Sequence, residues 1–185
     1  MPRKIKRTLP GDRRSEDIAS MIRVDHAGEY GAKRIYQGQL AVLGKDPKVG
    51  RLLEHMAAQE QEHLDFFTAE IRKRHIRPTA LQPLWHAAGY ALGALTARMG
   101  IEAAMACTVA VESVIAEHYR QQLDLLKNNP REKKLREAIR KFKAEEEEHH
   151  DIGIKHDAEK APAYLLLSKL IGKGSKLAIA VAKRI

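Results

Sequence analysis

Apolar residues recur every three to four positions along most of the chain, which is the period of an amphipathic α-helix. Breaks at Gly, Asn and Pro divide this pattern, and the stretch from near Leu84 to 127 fits either one helix or two in series. The predicted segments are 15–43, 47–75, 82–100 with 101–127, 130–160 and 163–183. The pattern therefore predicts an all-α protein, and the short connections favour antiparallel packing of neighbouring helices.

Carboxylates stand inside the apolar stripes of these helices. At about 100° of rotation per residue, Glu29 and Glu112 each fall in the middle of the stripe of their own segment. In segment 47–75, Glu60 and His63 lie about 40° and 20° from Met56, on the apolar side. These four side chains are therefore predicted to face the core.

The run EEEEHH in segment 130–160 offers two Glu-x-x-His pairs. Measured from Phe142, Glu146 and His149 fall at about +40° and −20°, within the apolar stripe. The competing residues Glu147 and His150 fall at about 140° and 80°. Helical phase therefore selects Glu146 and His149.

Four carboxylates and two imidazoles in one core need positive charge, because burying a single ionised carboxylate costs several kcal/mol. The alternative for each residue is a salt bridge, which would require buried Lys or Arg on the same faces. Lys33 is the main candidate, and its long side chain can extend outward. The order Glu, then Glu-x-x-His, occurs twice and is typical of the di-iron or di-manganese site of a ferritin-like antiparallel four-helix bundle. Carboxylates with one imidazole per metal favour Fe or Mn.

Charge is concentrated at the two ends of the chain. The net charge is +5 for residues 1–14, +5 for 165–185 and −1 between them. We expect one domain with a basic tail (1–14), a di-iron bundle (15–162) and an amphipathic basic helix packed on it (163–185). An anionic membrane surface fits two basic ends. Nucleic acid is not expected as a partner, because only 5% of residues are aromatic and no known nucleic-acid-binding motif is present.

Two apolar stretches add to the bundle. The stretch 84–97 contains no Asp, Glu, Lys or Arg, but it is shorter than the ~20 residues of a membrane-spanning helix. In the last segment, Lys169, Lys173 and Lys176 share one face, which indicates a helix lying on a membrane or on protein. The single cysteine, Cys107, cannot form an intrachain disulfide and is expected to be a small packing residue.

Four stretches of sequence resemble the demethoxyubiquinone hydroxylases. IRVDHAGEYGAKRIYQGQ contains Glu29, QEQEHL contains Glu60 and His63, and ACTVAVESVIAEHY contains Glu112. EEEEHHDIGIKHDAEKAPAY contains the last Glu-x-x-His pair. The resemblance covers about residues 18–185, and no ligand of the family is missing.

The resemblance implies O2-dependent hydroxylation of the ring of demethoxyubiquinol at a di-iron centre in ubiquinone biosynthesis. NADH is the electron source in at least part of that family. One iron would be bound by Glu29, Glu60, His63 and Glu146, and the other by Glu60, Glu112, Glu146 and His149. Glu60 and Glu146 would then bridge the two ions and take a direct part in catalysis.

The resemblance also implies a partner and a location. The substrate is a membrane-embedded quinone, so the protein is expected to lie on a membrane surface. The short basic start favours a bacterial enzyme on the cytoplasmic side of the cytoplasmic membrane, with the matrix side of the mitochondrial inner membrane as the alternative. A homo-oligomer or a ubiquinone-biosynthesis complex is left open.

Three residues near the predicted ligands are candidates for supporting roles. Asp25 and Asp151 are candidate acceptors for the outer N–H of a ligating His, with a solvated surface Asp as the alternative for each. Tyr119 faces inward and is a candidate to carry a proton or an electron to the substrate, with packing as the alternative. His118 falls at about 120° from Glu112 and is expected at the surface.

Two other functions share parts of this pattern. A ferritin-like iron oxidase or storage protein would use the same six ligands but should be soluble and assemble into a shell. A basic, non-enzymatic adaptor for membranes or nucleic acid would leave the inward Glu and His residues unexplained.

Overall fold

The computed structural model describes residues 13–184, with side chains from Asp17 onward, and these residues form six helices and no strand. The all-α prediction is confirmed, and of the two alternatives left open for 82–127 the structure has two helices. Two 3₁₀ turns, Pro130–Glu132 and Ala158–Lys160, flank the fifth helix. The helices are α1 Arg13–Leu43, α2 Gly50–Arg74, α3 Gln82–Arg98, α4 Ile101–Leu126, α5 Lys133–Lys155 and α6 Tyr164–Ala182.

Several helix ends differ from the prediction. Helix α1 begins at Arg13, and residues 1–12 of the predicted basic tail lie outside the described part of the chain. Helix α2 begins at Gly50 rather than Pro47, because the Asp46 carboxylate accepts hydrogen bonds from the two amides after Pro47 and holds a turn there. The segment predicted at 130–160 is shorter as an α-helix, because Asp157 adopts the left-handed conformation (φ 61°) beyond its end.

Helices α1, α2, α4 and α5 form the central four-helix bundle. Arg74 at the end of α2 binds Glu132 just before α5, while Gln59 near the start of α2 contacts His149 near the end of α5. Helices α2 and α5 therefore run antiparallel. The same reversed order holds for α1 against α4, where Tyr36 contacts Glu112 and Glu29 contacts Tyr119. Antiparallel packing is confirmed for these pairs.

Helix α3 packs on α1, not on its chain neighbour α2, and the two run parallel. Gly89 lies against Gly31, and Gly93 lies against Ile35. A Cβ atom at Gly93 would overlap the Ile35 carbonyl group, so the two backbones are in direct contact there. The small residues of α3 thus decide which helix it packs on.

Helix α6 packs on α4 in the same way as α3 packs on α1. Gly172 lies against Val114, and Lys183 lies near His118, so these two helices also run parallel. The far end of α6 reaches α1, where Ala182 packs with Val24. The molecule is therefore built from two similar halves, α1–α3 and α4–α6.

The connection between α3 and α4 is a tight bend at Gly100, whose φ of 122° favours glycine. Just beyond it, Cys107 is fully buried, and burial raises the pKa of its thiol to about 12. Cys107 is a packing residue, as predicted. None of the helices described here combines the length and the apolar character needed to cross a bilayer.

Candidate metal centre

The six predicted ligands meet in the middle of the four-helix bundle, and each is at most 1% exposed. They form two overlapping groups, in which the facing oxygen and nitrogen atoms lie within 4.8 Å of one another. The prediction that these side chains face the core is confirmed. The first group is Glu29, Glu60, His63 and Glu146, and the second is Glu60, Glu112, Glu146 and His149.

Four other acids on these helices point outward, and for Glu147 helical phase predicted this. Glu54, Glu62 and Glu117 are exposed, and so is Glu147, beside Glu146. Phase therefore distinguishes neighbouring glutamates correctly even within the run EEEEHH.

The inner atoms of the cluster lack hydrogen-bond partners. Both carboxylate oxygens of Glu60 and Glu146, and the Nδ1 atoms of His63 and His149, are buried without one. Among the described residues, no Lys or Arg forms an ion pair with these carboxylates, and Lys33 is only half-buried. Four carboxylates balance the charge of two divalent cations, so this donor set fits two metal ions; ligation remains a prediction.

His63 and Glu60 of the cluster have pKa values above their usual range. Although burial opposes it, the Glu146 and Glu29 carboxylates, 3.1 and 3.4 Å from Nδ1, raise the pKa of His63 to about 12. Burial, with Glu146 close by, raises the pKa of Glu60 well above its usual value. Metal ions would therefore displace protons when they bind here.

Both histidines are held from outside the cluster by a residue of the facing helix. Nε2 of His63 lies 2.9 Å from Oε2 of Glu145, and Nε2 of His149 lies 2.9 Å from Oε1 of Gln59. Because a glutamate or amide oxygen accepts, Nε2 carries a proton, and Nδ1, which faces the carboxylates, is the atom that would bind metal after losing its own proton. This orientation is typical of a ligating histidine.

The prediction that Asp151 supports a ligating histidine is wrong. Asp151 is 70% exposed and pairs with His150 at 3.2 Å. Its closeness to His149 in sequence did not bring it to the same side, since two steps along a helix turn the side chain by about 200°.

Asp25 is buried, but it does not contact a ligating histidine. Its carboxylate accepts a hydrogen bond of 2.6 Å from Gln122 and lies 3.6 Å from Nε2 of His118. Burial raises the pKa of Asp25 well above its usual value, and Glu29 adds to this. The inward phase was correct, but Asp25 lies one turn along α1 from the cluster.

His118 was expected at the surface and is instead largely buried. Only 14% of its side chain is exposed, and burial lowers its pKa to about 4. Helix α6 covers this side of α4 and brings Lys183 close to His118. The phase of α4 alone could not show that cover.

Two tyrosines bind the terminal carboxylates across the bundle. The Tyr119 hydroxyl donates to Glu29, and the Tyr36 hydroxyl donates to Oε1 of Glu112 at 2.8 Å. Tyr119 faces inward as predicted, whereas the role of Tyr36 was missed. The sequence contained a signal for this role, because the spacing repeats. Tyr36 follows Glu29 by seven residues, and Tyr119 follows Glu112 by seven residues.

A cavity of about 550 Å³ lies between α3 and α6 and ends at the cluster. Its wall is mostly apolar, and Glu29 and Tyr119 line it together with Asp25 and His118. Leu170 lines the cavity while remaining 60% exposed, so it stands at the mouth. The apolar side chains of the wall include Ile35, Trp85, Leu92, Val111, Ile115 and Ile171.

Comparison of the sequence with known protein families gives a result that agrees with the fold and with the buried Glu/His cluster. The family model described as ubiquinone biosynthesis protein COQ7 matches residues 16–182. The chain belongs to this family. It is therefore a protein of ubiquinone biosynthesis.

Curated relatives cover nearly the whole chain. NADPH-dependent 3-demethoxyubiquinone 3-hydroxylase, mitochondrial, of Bos taurus is 51% identical over 172 residues, which are 92% of this chain and 79% of that protein. The 3-demethoxyubiquinol 3-hydroxylase of Rhodospirillum rubrum is 50% identical over 178 residues, 96% of this chain and 83% of that protein. The 5-demethoxyubiquinone hydroxylase, mitochondrial, of Saccharomyces cerevisiae is 41% identical over 188 residues, 94% and 81%. The relatives thus include mitochondrial and bacterial proteins. All three are named as hydroxylases, so this chain is a hydroxylating enzyme and the resemblance found in the sequence is confirmed.

Proposed function

We propose that this chain hydroxylates the ring of demethoxyubiquinol with O2 at a di-iron centre bound by the six buried Glu and His residues. The observation that carries the proposal is the apolar cavity, which reaches Glu29 at the edge of the cluster. A storage protein needs a path for ions, and such a path is polar. An apolar cavity instead suits a ring with a long hydrocarbon tail.

The side chains around the inner end of the cavity have distinct tasks in this proposal. Iron held by the six residues would activate O2 and pass to it electrons that come from the reductant. Glu29 is oriented by the Tyr119 hydroxyl, which holds a proton between the cluster and the cavity. The apolar wall excludes water from the reacting ring, and the tail extends toward the mouth at Leu170.

We propose a nicotinamide nucleotide as the electron source. The sequence resemblance suggested NADH, while the name of the Bos taurus relative specifies NADPH and that of the Rhodospirillum rubrum relative specifies neither. Turnover with each nucleotide in turn decides between the two.

We also propose that the enzyme lies on a membrane surface, on the cytoplasmic side in a bacterium or on the matrix side in a mitochondrion. Exposed leucines stand on α6, next to the face that carries Lys169, Lys173 and Lys176. Leu170, at the mouth of the cavity, belongs to the same exposed surface. This arrangement would let a quinone pass from the lipid into the cavity.

The test compares two bridging-residue variants with two matched surface variants. Glu60→Ala and Glu146→Ala should lose bound iron and lower turnover by roughly 100-fold or more, since changes outside the ligand shell already cost 10–100-fold. Glu62→Ala and Glu147→Ala remove exposed glutamates from the same helices and should bind two irons and turn over normally. Iron content and the hydroxylated quinone, identified by mass, are the measurements. Normal turnover by Glu146→Ala would contradict the proposal.

A further inference from the structure

The Glu/His cluster consists of two similar halves, and residues of each half form hydrogen bonds with the predicted ligands of the other. The terminal Glu29 and Glu112 each receive a tyrosine hydroxyl from the facing half. Each histidine is held by the residue that precedes the bridging glutamate of the facing half. These matched contacts relate the two halves of the centre by an approximate two-fold axis.

One pair of positions breaks this symmetry. His63 is held by Glu145, a carboxylate, whereas His149 is held by Gln59, a neutral amide. The two contacts are the same length, 2.9 Å, and join the same imidazole atom to an oxygen. The halves therefore differ in charge at this point and not in geometry.

The charge of Glu145 is well placed to act on His63. Its side chain is only 17% exposed. The Lys141 amine lies 3.4 Å from its other oxygen, but Lys141 is 55% exposed and solvated. A carboxylate that accepts the outer N–H of a ligating imidazole makes that imidazole more electron-rich and a stronger ligand. A neutral amide does this less.

The two metal positions also differ in their surroundings. The cavity-side position comprises Glu29, Glu60, His63 and Glu146, and the far position comprises Glu60, Glu112, Glu146 and His149. Of the six cluster residues, all within the described part of the chain, Glu29 alone lines the cavity. The carboxylate-supported histidine thus belongs to the position nearest the site proposed for the ring.

We propose that Glu145 is a positioning residue that makes the cavity-side position the tighter of the two metal positions. It acts through His63, and Gln59 leaves the far position weaker. The difference between Glu145 and Gln59 therefore sets the order in which the two positions bind metal. This inference rests on the proposed dimetal function, because it presupposes two bound ions.

The experiment is an anaerobic titration of the full-length, metal-free protein with Fe(II), giving two stepwise dissociation constants. Glu145→Gln keeps an oxygen acceptor of the same shape and removes only the charge. It should weaken the tighter step roughly 10-fold or more and bring the two constants together. In a Glu112→Ala background, which removes a ligand of the far position, the remaining binding step should be weakened by the same factor.

The double exchange Glu145→Gln with Gln59→Glu is the decisive variant. It should restore two well-separated constants, with the tighter step now at the far position. Glu147→Gln, an exposed change of equal charge on the same helix, should alter neither constant. Mössbauer spectra of the protein loaded with two ⁵⁷Fe(II) ions provide a second measurement. Glu145→Gln should bring the two iron environments closer together than in the wild type.

The possible outcomes distinguish failure of the inference about Glu145 from failure of the proposed dimetal function. If the wild type binds two irons but Glu145→Gln changes neither constant by more than about twofold, the inference is wrong and the dimetal function stands. If the double exchange behaves like Glu145→Gln alone, the inference is also wrong. If the wild type binds no iron, the proposed function fails first.

Discussion

At the scale of the residue, Tyr36 and Tyr119 make the same contact in different surroundings. Each hydroxyl donates to a terminal glutamate, and both are at most 1% exposed. Burial raises the pKa of each phenol well above its usual value, and the bound glutamate adds to the effect. Both therefore keep their protons at neutral pH. Only the Tyr119 contact faces the cavity.

We predict that Tyr119→Phe and Tyr36→Phe have unequal effects on turnover. Each change removes the hydrogen bond to a terminal glutamate and should destabilise the fold by about 1 kcal/mol. Tyr119→Phe should also lower kcat roughly 100-fold, because it removes the proton held beside the proposed site of the ring. Measuring kcat together with iron content tests this. Equal losses in the two iron-loaded variants would show that Tyr119 only packs.

At the scale of the element, one arginine fastens the end of α2 to the turn before α5. Arg74 donates from Nη1 and Nη2 to Glu132 and from Nε to Glu70, with contacts of 2.6–2.9 Å. Burial by itself raises the pKa of Glu70, but hydrogen bonds from Arg74 and Lys73 outweigh it and lower that pKa. This contact keeps the two Glu-x-x-His helices in register at one end.

We predict that Arg74→Met lowers the free energy of unfolding by about 2 kcal/mol at neutral pH. Since Glu70 has a lowered pKa in the folded state, its contribution is complete above its unfolded pKa and is lost as pH falls through the folded pKa. The difference between wild type and variant should therefore shrink below about pH 4.5.

Arg72→Met is the control for this comparison, because Arg72 is exposed in the same last turn. Denaturant unfolding of all three proteins across the acid range gives the result, and any loss of metal in acid affects them alike. A difference between the two variants that stays constant down to pH 2 would contradict the prediction.

At the scale of the whole molecule, the two outer helices α3 and α6 flank the cavity and carry exposed apolar side chains. Helix α6 exposes four leucines, of which Leu165 is 81% exposed. Next to them stand Lys169, Lys173 and Lys176, all exposed. A helix with leucines beside lysines suits the boundary of an anionic membrane, where each Lys contributes about 1 kcal/mol.

We predict that Leu166→Ser with Leu177→Ser weakens binding to vesicles of phosphatidylcholine and phosphatidylserine by at least about tenfold. Leu125→Ser is the matched control, since Leu125 is 74% exposed on α4 and does not line the cavity. Co-sedimentation with vesicles, with and without phosphatidylserine, measures both changes. Equal binding by the double variant and the control would exclude α6 as the docking surface.

The sequence by itself determined the helices and the inner ligands, because both depend on the local geometry of one helix. A fixed turn of about 100° per residue is enough to place Glu29, Glu112 and the two Glu-x-x-His pairs on apolar faces. It also separates Glu146 from Glu147. The family followed from the same residues.

Only the tertiary structure decided which residues meet across helices. The contacts of Glu145 with His63 and of Tyr119 with Glu29 join positions 82 and 90 residues apart. Helical phase gives the direction of a side chain but not its position along the helix axis relative to a neighbouring helix. The phase of Asp25 was therefore predicted correctly, although its carboxylate lies one turn away from the cluster. Likewise His118 is buried by α6, because a helix cannot show from its own pattern what later packs on it.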